Sequence, residues 1–149
     1  MNYKEFLESK IELATESGFI VDPADINPAL KPHQRDAVRW ALKGGRRALF
    51  ESFGLGKTIQ EIEFCYQAVK HCGGRALIVL PLGVKQEFTR DAVEILGYDQ
   101  PEYCRTMEEV EKCRSRIVLT NYERVRDGDI RPEYFAATSL DEASVLRSF

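Results

Sequence analysis

The chain has 149 residues, of which 44% are hydrophobic and 30% charged, with a net charge of −3. That length fits one domain able to bury roughly 68–70% of its unfolded surface. The composition is that of an ordinary globular protein and excludes a uniformly basic nucleic-acid binder, although a protein can gather a few Lys and Arg on one face of an acidic body.

The N-terminus, Met1 to Lys10, carries acidic residues and no signal-type apolar stretch, and no apolar run reaches membrane-spanning length. A cytoplasmic location and no membrane contact are the expectation. Cys65, Cys72, Cys104 and Cys113 form no C-x-x-C pair, and neither histidine completes a zinc spacing, so free thiols in a reducing compartment are expected. There is no internal repeat and no low-complexity stretch.

Taken in chain order, Tyr3, Phe6, Leu7, Ile11 and Ala14 recur at helical spacing and predict a helix over Tyr3–Ser17, ended by Gly18. Asp22 to Pro28 reads as an ordered loop, because its prolines disfavour helix and central strand. From there helices and strands alternate. A helix from His33 to Lys43 leads through Gly44 and Gly45 to a strand at Arg47–Glu51, then a Gly-rich loop and a helix from Lys57 to His71. A strand at Ala76–Leu80 and a helix from Val84 to Leu96 follow. Weaker signals mark a strand at Glu102–Arg105 and a helix at Met107–Cys113. Ile117–Thr120 reads as a buried strand and Thr138–Leu140 as another, leading into Asp141 and Glu142. Near-continuous apolar strands separated by helices predict an α/β fold, with a mostly parallel sheet covered by helices on both faces. Ligands in such sheets bind beyond the carboxyl ends of the strands.

Two segments fall at those ends. Glu51-Ser52-Phe53-Gly54-Leu55-Gly56-Lys57-Thr58 follows a strand and opens a helix, the setting of a phosphate-binding loop. Gly54 and Gly56 permit the sharp turn that points backbone N–H groups inward, and the helix N-terminus adds positive potential. Lys57 would reach the β- and γ-phosphates and the Thr58 hydroxyl would hold Mg²⁺. A lysine at a helix N-terminus is unfavourable without an anion beside it, which favours this reading over an ordinary turn. The general pattern wants Gly where this chain has Glu51. The second segment is Asp141-Glu142. An isolated Asp-Glu pair is usually a solvated turn, but downstream of a phosphate loop it suits a metal-dependent phosphate site. Asp141 would hold Mg²⁺ and Glu142 would orient the attacking water.

The chain resembles the superfamily-two helicases and translocases, particularly the Swi/Snf-type branch and its phage-encoded relatives, over Leu30 to Phe149. Phe53-Gly54-Leu55-Gly56-Lys57-Thr58 is similar to that family's M-G-L-G-K-T loop, which also lacks the first Gly. Leu30-Lys31-Pro32-His33-Gln34 resembles its adenine-recognition box, which implies that Gln34 bonds the adenine edge while Pro32 and His33 shape the pocket. Leu80 to Phe88 resembles motif Ia, implying nucleic-acid backbone contacts at Leu82, Gly83 and Lys85. Thr120-Asn121-Tyr122-Glu123 is similar to the T-x-Y-E box, with Tyr122 either a contact or a core residue. Asp141-Glu142-Ala143-Ser144 is similar to the D-E-x-x box, with Ser144 in place of the usual His or Asp.

The resemblance implies a RecA-like P-loop NTPase lobe over residues 30–149, preceded by an extension over residues 1–29. It implies ATP and Mg²⁺ as ligands, Lys57, Asp141 and Glu142 as catalytic residues, and nucleic acid, DNA rather than RNA, as the partner of a longer ATP-hydrolysing motor. The segment ends before the family's S/T-A-T strand and second RecA-like domain. The expectation is therefore a partial lobe lacking its final strand and arginine fingers, weakly active by itself, with a sheet edge open to self-association. A nucleotide-binding scaffold that never hydrolyses ATP is the alternative. A small P-loop kinase is disfavoured, because no lid-type Arg cluster follows the acidic pair.

Overall fold

The computed structural model describes residues 18–45, the strand backbone at 47–50, and residues 57–141. The predicted helix over Tyr3–Ser17, the loop residues Phe53, Gly54, Leu55 and Gly56, and Glu142 and Ser144 lie outside the described residues.

Five strands form one sheet: β1 (Arg47–Phe50), β2 (Ala76–Val79), β3 (Glu102–Tyr103), β4 (Ile117–Thr120) and β5 (Ala137–Asp141). Their spatial order is β1-β5-β2-β4-β3, and every pairing is parallel. Among the described residues five α-helices accompany them: α1 (Pro32–Gly44), α2 (Lys57–Cys72), α3 (Lys85–Arg90), α4 (Met107–Lys112) and α5 (Tyr122–Arg126). β2, β4 and β5 are buried along their whole length.

Alternate residues of those strands feed two separate cores, as the period of two requires. Ala76, Ile78, Ile117, Leu119 and Ala137 pack with α1, α2 and the α3 segment on one face. Leu77, Val79, Val118 and Leu140 pack with Val110 of α4 and Val125 of α5 on the other. The chain steps across the sheet in one direction from β1 to β2 to β3, with α2 and α3 on the first face. It returns from β3 to β4 to β5, with α4 and α5 on the second. A reversal of direction with a change of face is what a constant crossover hand demands. The parallel α/β sheet with helices on both faces is thus present, and β1 and β3 are its edges among the described residues.

Local departures from the predicted elements have physical causes. The helix expected from Val84 to Leu96 is a 3-10 turn at Leu82–Val84, then α3, then a π-helical turn at Asp91–Ile95. The wider turn still buries both Ala92 and Leu96. It also delivers the Leu96 carbonyl to the Asn27 side chain at 2.9 Å. The loop after Asp22 contains one 3-10 turn at Pro23–Asp25, with the Asp22 carboxylate accepting from Ala24 N. Helix α5, short and preceded by Asn121, had no periodic signal. Gly18 lies where a Cβ would stand 2.1 Å from the Lys43 carbonyl oxygen, so the close approach of the chain to the end of α1 requires glycine there. Residues Val21, Ile26 and Leu30 join the same core as α1 and α2.

Candidate functional site

The register of β1 against β5 sets Phe50 opposite Asp141, so the chain leaves β1 level with the last residue of β5. It returns as α2, whose first residue is Lys57. The Lys57 Nζ donates to Asp141 Oδ1 at 2.5 Å, with only 13% and 4% of the two side chains exposed. Of all the candidate catalytic residues, these two are the pair described, and the fold brings them together across 84 positions of sequence. Thr58 stands beside Lys57, half-buried.

One turn further along α2 is a residue that sequence reasoning missed. Glu61 is fully buried, and its Oε1 accepts from Ser139 Oγ at 3.1 Å while its Oε2 has no partner. Lys57 and Glu61 are four apart on a helix and share a face; Ser139 and Asp141 are two apart on a strand and share a face. Two rungs therefore join α2 to β5, Lys57 to Asp141 and Glu61 to Ser139. Burial drives the Glu61 carboxyl well above its ordinary range, and the nearby Asp141 carboxylate pushes it further. Lys57 and the Ser139 hydroxyl oppose that rise without cancelling it. The i, i+4 spacing was visible in Lys57-Thr58-Ile59-Gln60-Glu61. What the sequence lacked was knowledge that β5 would cover that face.

The nucleic-acid candidates lie past the carboxyl ends of β2 and β4. Leu82 and Gly83, just past β2, are exposed. Lys85 sets its Nζ 4.9 Å from the centre of the Tyr103 ring, and the Tyr103 hydroxyl donates to Asn121 Oδ1 at 2.7 Å. Tyr122, half-buried, packs against the second core and has Arg126 over its ring, so it serves both as packing and as rim. Strand spacing of about 4.8 Å puts β4 roughly 10 Å from β5.

Pro32 and His33 are exposed at the start of α1, whereas Gln34 is buried, and its Oε1 accepts the Lys31 N–H at 2.8 Å. Phe19 stacks on His71 with centroids 3.9 Å apart, so one face of that ring is already occupied. An open groove of about 300 Å³ lined by Ile20, Asp36, Trp40 and Lys43 contains none of the candidate residues. Cys65, Cys104 and Cys113 are buried free thiols and Cys72 is exposed. Burial pushes Cys104 up to about 12, which removes it as a nucleophile at neutral pH.

Mg²⁺ is the cation that accompanies a triphosphate. This ion keeps several waters and takes one or two protein oxygens together with substrate phosphates, rather than a cage built of protein. Asp141 at the end of β5 and Thr58 at the start of α2 each carry an oxygen donor of that kind, a carboxylate and a hydroxyl. No cluster of three or more His, Cys, Asp or Glu exists among the described residues. No helix among the described residues is long and apolar enough to cross a membrane. No protein-family model and no curated protein matches the chain.

Proposed function

We propose that this chain is the ATP-binding lobe of a nucleic-acid motor of the superfamily-two type. The observation that carries the proposal is the Lys57–Asp141 ion pair, which joins the start of a helix entered from β1 to the carboxyl end of β5. A lysine and an aspartate in that relation are the two charged groups that a phosphate and its Mg²⁺ require.

The ion pair defines how the site works. In the protein alone, Asp141 satisfies Lys57, and neither charge is left uncompensated in a mostly buried setting. When a triphosphate arrives, Lys57 transfers its hydrogen bond from Asp141 to phosphate oxygen. Asp141, released, and the Thr58 hydroxyl would then be the groups that hold Mg²⁺. Bound Mg²⁺ would neutralise phosphate charge. By the family resemblance, Glu142 would orient the attacking water and Gln34 would meet the adenine edge. Gln34 uses its carboxamide oxygen to cap α1, so bidentate contact with a base requires that cap to open. The nucleic-acid side of the proposal rests on Leu82, Gly83, Lys85 and Tyr122, with Lys85 held over Tyr103.

Equilibrium binding of Mg²⁺-ATP to the wild-type chain and to Lys57→Ala tests the proposal. The expected result is a loss of at least roughly tenfold in affinity, about 1.4 kcal/mol, in a variant that still folds. Equal affinity in the two proteins would overturn it.

A further inference from the structure

We propose that Glu63 is a positioning residue for base recognition, fixing the segment that carries Gln34 at a set distance from the phosphate helix. The inference rests on the reading of Leu30–Gln34 as the adenine box. Glu63 is fully buried on α2, two positions beyond Glu61 and on a different face of the helix. Unlike Glu61, it is fully engaged. Its Oε2 accepts from the backbone N–H of Asn27 at 2.9 Å and from Gln67 Nε2 at 2.8 Å, and its Oε1 accepts from the Tyr98 hydroxyl. Gln67 Nε2 also donates to the Asp25 carbonyl at 2.8 Å, and Tyr98 stacks on Tyr66.

From Glu63 a chain of hydrogen bonds runs to the box. Asn27 receives the Leu30 N–H on its carbonyl at 3.1 Å and the Ala29 N–H on its Oδ1 at 2.9 Å. The Leu30 carbonyl accepts Arg35 Nε at 3.0 Å, and the Lys31 N–H is held by Gln34 Oε1. Asn27 Nδ2 braces the same loop against the Leu96 carbonyl. One buried carboxylate thus ties the loop before Gln34 to the helix that begins with Lys57. Base and triphosphate are covalently joined in a nucleotide, so the two subsites contribute together only when their separation is fixed.

The test compares ATP with inorganic tripolyphosphate, each with Mg²⁺, by calorimetry on the wild-type chain, Glu63→Gln, Glu63→Leu and Glu63→Ala. Gln keeps an oxygen for Asn27 N and Gln67, and its amide nitrogen faces a Tyr98 hydroxyl that can rotate to accept. The expected result is that wild type and Glu63→Gln bind ATP at least roughly tenfold more tightly than tripolyphosphate. Glu63→Leu and Glu63→Ala should keep tripolyphosphate affinity within about twofold while most of the ATP advantage disappears. If Glu63→Leu does not fold, Glu63→Ala, whose smaller side chain leaves room for water to meet the buried donors, decides against Glu63→Gln. The inference is overturned if the folded variants retain the ATP advantage, or if tripolyphosphate affinity falls in step with ATP. A wild-type chain that binds tripolyphosphate but gains nothing from the base would instead refute the adenine box, and the inference with it.

Discussion

Glu61 and Glu63 are two buried carboxyls on one helix with opposite fates. Glu63 meets donors from three separate stretches of chain, whereas Glu61 has one hydroxyl and an orphaned oxygen beside a second carboxylate. The first is a finished structural joint. The second stands at the edge of a charged site, where an acid kept neutral costs less than an unpaired anion. Incomplete satisfaction one turn from Lys57, and full satisfaction on another face, separates the part of α2 beside the Lys57–Asp141 pair from the part that anchors the Asn27 loop.

The comparison is broken most forcefully at Glu63. Glu63→Leu leaves buried donors on Asn27, Gln67 and Tyr98 without an acceptor, at about 1–3 kcal/mol for each unsatisfied group. Urea denaturation should show a loss of roughly 3–5 kcal/mol. A change below about 1 kcal/mol would mean that the joint does not stabilise the fold.

Glu61 should respond with the other sign. Its folded-state pKa lies above its ordinary value of 4.5. Its contribution to stability is therefore fully present below about pH 4.5 and is lost as pH rises toward the raised folded value. Glu61→Gln removes that loss and keeps an acceptor for Ser139. The variant should be more stable than wild type by about 1 kcal/mol near pH 7.5, with the difference vanishing near pH 4.5. Thermal unfolding across that range would contradict the account if Glu61→Gln were destabilised at neutral pH or if the gap between the proteins did not move with pH.

The sequence disclosed those parts of the molecule that depend on local periodicity. The apolar run Ala76–Leu80 and the alternation around it were enough to place a parallel sheet with two covered faces. The spacing of Lys57 after a strand, and of Asp141 at the end of one, located the charged pair. The sequence could not show which strand would lie beside which. That adjacency puts Asp141 against Lys57 and Ser139 against Glu61, and it is a property of tertiary order, invisible to a period of two or 3.6. Glu63 was hidden for a related reason: its partners, Asn27 and Tyr98, come from loops on either side in sequence, and the π-helical turn that brings the Leu96–Tyr98 stretch into reach leaves no mark in the pattern of apolar residues. Gln34 was legible as a candidate, but its role as the cap of α1 was not, since capping depends on the extended conformation of Lys31.

In the proposed site, Asp141 and phosphate compete for Lys57, and Asp141 is released to hold Mg²⁺. ATP affinity of wild type and Asp141→Asn, each measured with and without Mg²⁺, tests it most directly. Without Mg²⁺, Asp141→Asn should bind ATP more tightly than wild type, by several-fold, because Lys57 has lost its internal partner. With Mg²⁺, wild type should gain affinity and Asp141→Asn should gain little. Weaker binding by Asp141→Asn in the absence of Mg²⁺, or an equal response of both proteins to the metal, would contradict the account.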